Sequence, residues 1–119
     1  MQISQCLLFV MLLTSDVLSQ EYRFTVRVTT PLTHRNTPFD PEIDFEKLLR
    51  DKNVSNPLDP NSIVVRNIAT GKMVAHALSA DFQVGQKGRV QWVIKNPRHR
   101  GFEIRFRTTS KKHIVIQPQ

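Results

Sequence analysis

Leu58-Asp59-Pro60-Asn61-Ser62-Ile63-Val64-Val65-Arg66-Asn67-Ile68-Ala69-Thr70-Gly71-Lys72-Met73-Val74 decides how the rest of the chain reads. A proline-bearing turn feeds a β-branched run, a turn around Ala69-Thr70-Gly71-Lys72 closes it, and a second apolar run follows. β-branched residues favour extended backbone and glycine supplies turn freedom, so this pattern reads as a β-hairpin. Its strands are expected near 62–67 and 73–78, with Ala80-Asp81-Phe82 continuing the second after a kink.

Working outward, Tyr22-Arg23-Phe24-Thr25-Val26-Arg27-Val28 alternates strictly between apolar and polar. Period two puts Tyr22, Phe24, Val26 and Val28 on one sheet face and Arg23, Thr25 and Arg27 on the other. Arg89 to Ile94 repeats the pattern with Val90, Trp92 and Ile94 sharing a face. Phe102 to Arg107 does so with Phe102, Ile104 and Phe106 inward and Glu103, Arg105 and Arg107 outward. His113-Ile114-Val115-Ile116 reads as a last edge strand or a frayed end. Residues 32–41 read as a polar loop with Pro38 and Pro41. Asp44 can then cap a short helix over 45–52, whose Phe45, Leu48 and Leu49 form one apolar stripe. Closely spaced strands without a βαβ rhythm predict a mainly β protein. The expected architecture is an antiparallel immunoglobulin-like β-sandwich with one short helix.

Residues 1–19 are set aside as a signal peptide. Cys6 to Leu13 is an apolar run shorter than the ~20 residues needed to span a bilayer, and Val17-Leu18-Ser19 suits a cut after Ser19. The alternative is a buried N-terminal strand or helix, since no Lys or Arg precedes the run. The full chain of 119 residues has a formal charge of +7. Removing the leader deletes Asp16 and no base, leaving 17 basic against nine acidic residues, or +8. The remaining 100 residues, 20–119, suit a single domain. The only cysteine leaves with the leader, so the exported domain must hold together by its apolar core. The expected location is secreted or periplasmic, with no membrane span in the mature chain.

His34, His76, His99 and His113 lie far apart without metal-ligand spacing, and His76, between Ala75 and Ala77, reads as structural. Asp40, Glu42, Asp44 and Glu46 are explained by the affinity of acids for a helix N-terminus. No phosphate loop or nucleophile elbow occurs. We therefore expect no enzyme, no cofactor and no metal site. The basic residues carry more: Arg98, His99 and Arg100 crown one turn, and Arg105 and Arg107 share a strand face. Arg98, Arg100, Arg105 and Arg107 are the candidate binding face, with a merely solvated surface as the alternative. Aromatics are not interleaved with these charges, which disfavours nucleic acid and leaves acidic polysaccharide or a neighbouring domain as partner. Oligomeric state stays open. Asn53-Val54-Ser55 is a glycosylation sequon with meaning only in a eukaryotic secretory host.

Asp44-Phe45 with Leu48-Leu49, the stretch Leu58 to Ile63, Thr70-Gly71-Lys72, Gly88 to Trp92 and the strand from Phe102 to Phe106 together carry a resemblance. The pattern, covering 22–109, resembles an N-terminal immunoglobulin-type β-sandwich module of large secreted bacterial proteins, commonly of the glycan-processing type. The resemblance implies a non-catalytic accessory module placed ahead of a catalytic domain, and supplies no catalytic residue. It leaves two functional expectations. One is a secreted binding module, for acidic glycan. The other is a structural packing domain, or the N-terminal fragment of a larger secreted enzyme.

Overall fold

Alternating side chains dictate the architecture. The computed structural model of the chain describes residues 7–15, as backbone, and residues 21–109. Strand β2 (Glu21–Val28) buries Tyr22, Phe24, Val26 and Val28 and turns Arg23 and Arg27 to solvent. It pairs antiparallel with β9 (Gly101–Thr108), from Glu21 opposite Arg107 to Arg27 opposite Gly101, and β9 buries Phe102, Ile104 and Phe106. On the other side of β9 runs β5 (Leu58–Asn67), followed by the two-residue β6 (Met73–Val74). Strand β1 (Leu7–Ser15) completes the sheet beyond β2, giving the order β1-β2-β9-β5-β6.

The second sheet is built on β8 (Lys87–Ile94). Trp92 of β8 pairs with Phe39 of β3 (Thr37–Phe39) on one side and with His76 of β7 (His76–Leu78) on the other. Further along, β8 pairs with β4 (Glu42–Asp44). The inner faces of the two sheets meet in one core, in which Phe45 packs edge-on against Phe106 at 4.9 Å and Trp92 lies 5.3 Å from Phe102. Burying each such side chain is worth about 1.5–3 kcal/mol before entropy is subtracted. The protein is a mainly β, antiparallel β-sandwich with one short helix.

That helix, α1 (Phe45–Asp51), starts where Asp44 accepts the Lys47 N–H at 2.9 Å and buries Phe45, Leu48 and Leu49. It ends in a left-handed residue, Asn53 (φ 61°). The Asn53 N–H donates to the Arg50 carbonyl and the Val54 N–H to that of Leu49, both at 2.9 Å. This is the paired pattern that satisfies the last free carbonyls of a helix.

The structure departs from the sequence reading at several places: β5 begins at Leu58 and takes in the expected proline-bearing turn, β4 is an unexpected strand, and three further elements differ. The second arm of the hairpin is not one strand: it breaks at Ala75, so that β6 pairs with β5 in the first sheet and β7 with β8 in the second. Residues 80–83 form a 3-10 turn rather than a strand, because the Val84 and Gly85 N–H groups both donate to the Asp81 carbonyl and Phe82 turns into the core. The polar loop 32–41 contains β3, drawn into the sheet by Phe39, whose ring lies 5.2 Å from that of Trp92.

Leu7–Ser15, which takes in most of the apolar run Cys6 to Leu13 of the expected leader, pairs with β2 from Leu7 opposite Val28 to Ser15 opposite Tyr22. The cut expected after Ser19 and the expected strand His113–Ile116 lie outside the described residues. Among the described residues no helix is long and apolar enough to cross a membrane.

Candidate functional site

Strand pairing brings three loops to one end of the sandwich. The Val28 N–H donates to the Arg100 carbonyl at 2.9 Å, placing the end of β2 beside the β8–β9 turn. The Ile68 N–H donates to the Gly101 carbonyl at 3.1 Å, which adds the β5–β6 turn. The Asn36 N–H reaches the Lys95 carbonyl at 3.4 Å and adds the loop before β3. The β5–β6 turn is locally determined. Asn67 Oδ1 accepts the N–H groups of Ala69 and Thr70 at 2.8 and 3.2 Å, and Gly71 takes φ 75° so that the chain can reverse.

This end is cationic. Arg27, Arg35, Lys72, Lys95, Arg98 and Arg100 are all exposed there. Residues 27–39, 64–78 and 90–102, which supply these loops and strand ends, contain no Asp or Glu. None of the six cations takes part in an ion pair among the described residues. Like charges gathered without a counter-charge raise the local positive potential and the local concentration of anions.

The four arginines picked out by sequence therefore fall into two settings. Arg98 and Arg100 belong to the cationic end. Arg105 and Arg107 lie on the outer face of the first sheet, and Arg107 is about 20 Å from the turn at the usual strand rise. Arg105 donates through Nε to Glu103 Oε1 at 2.8 Å, and Arg66 donates to the same oxygen at 3.1 Å. Partial burial alone would raise the Glu103 pKa. The hydrogen bonds from Arg105 and Arg66, with their charges, outweigh that and hold the carboxyl below its usual value. Arg107 is flanked in register by two acids, Glu21 and Asp59. Arg23 and Arg27 share this sheet face, Arg23 directly opposite Arg105.

A cleft of about 720 Å³ opens at the cationic end, where the chain crosses from β6 to β7. Trp92 and Phe102 belong to its lining, together with Met73, Val93, Lys72 and Lys95. Met73 is 59% exposed and Val93 42%, high for side chains of their kind. The buried indole Nε1 of Trp92 has no hydrogen-bond partner, and it is the one such side-chain atom among the described residues. His76 and His99, distant in sequence, both line this cleft. Burial lowers the His76 pKa, against a raising contribution from a backbone hydrogen bond with Val74. Asn67 Nδ2 lies 3.3 Å from His99 Nδ1. The cleft escapes sequence reading because its walls come from both sheets. The one usable signal was the unbroken absence of acids around Lys72 and Lys95.

The acids before and within the helix do not converge on a site. Asp44 caps the helix, Asp40 faces Arg89 at 3.8 Å, and Glu46 lies 4.0 Å from Arg50. Among the described residues no three His, Cys, Asp or Glu side chains are grouped to hold a metal ion. Asn53 of the sequon is exposed at the helix end. No protein-family model, curated protein or solved structure matches the chain.

Proposed function

We propose that the chain is a secreted, non-catalytic binding module whose cationic end takes acidic polysaccharide. One observation carries the reading: six exposed Lys and Arg side chains, five on three loops and Arg27 at the end of β2, gather where the sequence supplies no carboxylate. Loops at the end of a rigid sandwich are well placed for recognition, because the sheets hold their bases while their side chains remain free to differ. A flexible polyanion needs spaced cations more than it needs a shaped pocket, and the β8–β9 turn presents Arg98 and Arg100 beside Lys95. Export follows from the leader-like residues 1–19, and the resemblance to modules of glycan-processing proteins points to the same class of partner.

Retention on immobilised heparin or pectate, eluted with salt, tests this. The full chain should be retained at low salt and released as screening rises, since exposed charges interact over roughly 10 Å at 0.1 M salt. Arg98→Ala with Arg100→Ala should elute clearly earlier, and Arg105→Ala with Arg107→Ala should shift less. Passage in the void volume at low salt would sink the reading.

A further inference from the structure

We propose that the cleft between the sheets also binds a small amphipathic carboxylate, its apolar body against Val74, Trp92 and Phe102 and its carboxylate held by Lys72 and Lys95. Four observations converge on it. Val74, Trp92 and Phe102, which face the space between the sheets, belong to the lining of this one cleft. Apolar surface gathered in a concavity marks a place where a ligand, rather than solvent, completes the packing. The indole N–H of Trp92, a lining residue, is buried without an acceptor, an uncommon state for a side-chain donor. The lining includes Lys72, Lys95, His76 and His99 and no carboxylate, which selects an anion over a cation. Finally, about 720 Å³ lies within the ~300–1,000 Å³ range of small-molecule sites.

Trp92 is the only tryptophan in the chain, so its emission reports on this cleft and nowhere else. The full chain is titrated with decanoate below its micellar range, and in parallel with 1-decanol and decyltrimethylammonium. Decanoate should give a saturable change in Trp92 emission, with half-saturation at least about tenfold lower than for either comparator, a tenfold step being about 1.4 kcal/mol. Lys72→Ala with Lys95→Ala, both exposed positions that leave the core intact, should weaken decanoate about tenfold. Ala75→Glu, an acid placed at an exposed position of the lining, should abolish the response. Absence of a saturable signal, an equal response to decyltrimethylammonium, or unchanged decanoate binding in the double lysine variant would each overturn the proposal. Arg98→Ala with Arg100→Ala separates the two sites: polysaccharide retention should fall while decanoate binding persists. Loss of both would show general charge attraction and overturn the cleft assignment.

Discussion

Gly88 has no room for a side chain. A Cβ built there would stand 2.8 Å from the Phe82 ring and 2.8 Å from Ser79 Oγ, closer than such atoms pack. The 3-10 turn rests its aromatic directly on the backbone of β8, and Gly88→Ala should cost about 1–3 kcal/mol by overpacking, read as a fall in the urea midpoint. Asn53 is constrained by its backbone instead, being left-handed at the end of α1. Asn53→Gly should be tolerated, whereas Asn53→Ala should lose about 1 kcal/mol because its Cβ disfavours that conformation. Thermal unfolding of the two variants side by side separates them. Asparagine can therefore be explained at 53 by helix termination alone, whatever becomes of the sequon. At the same scale, Arg105 is held by the Glu103 carboxylate at 2.8 Å, whereas Arg98 is exposed in its turn.

The opening stretch, Leu58 to Val74, holds its geometry through one hydroxyl and one turn. The ladder between β5 and β9 shifts register between Asp59 and Val64, which leaves backbone groups to be satisfied by other means. Ser62 Oγ does this, accepting the Arg107 N–H at 2.6 Å and donating to the Asp59 carbonyl at 2.7 Å. Ser62→Ala should cost about 1–2 kcal/mol, because a partly buried donor and acceptor lose their partner together. Equilibrium denaturation measures this, and an unchanged midpoint would show the shift to be held by packing alone. Alternation made β2, β8 and β9 legible almost to the residue, since each buries every second side chain. The short strands β3, β6 and β7 were not legible as separate elements. Two or three residues carry no periodicity, and pairing with β5 or β8 is what makes them strands.

At the scale of the whole molecule, His76 and Glu103 both contribute to the response to acid, and both act in the same direction. The folded state lowers the His76 pKa, so the unfolded chain takes up a proton first as pH falls below about 6.5, and stability declines there. Glu103, also lowered by folding, adds a second decline below about 4.5. Urea midpoints measured against pH should therefore fall in two stages. Glu103→Gln should flatten the lower stage, and His76→Gln the upper one. A midpoint independent of pH between 7 and 5 would contradict the burial assigned to His76. Charge is likewise a whole-molecule property here. Most of the described acids lie at the helix or on the outer sheet face, while the three loops and the adjoining end of β2 keep six cations and no acid.

Some of this was determined by the sequence alone. Period-two alternation dictates which faces of β2, β8 and β9 are buried, Asp44 dictates where the helix begins, and the position of Gly71 dictates a turn. Each is a local matter of backbone preference and side-chain polarity, acting over a few residues. Tertiary structure decided the rest: the break at Ala75 that sends one arm of the hairpin into the second sheet, the sorting of four arginines into two environments, and the meeting of Trp92, His76, His99, Lys72 and Lys95 around one cleft. These depend on which distant strands pair. Pairing is settled by burial of the shared core, so it cannot be read from any single stretch of chain.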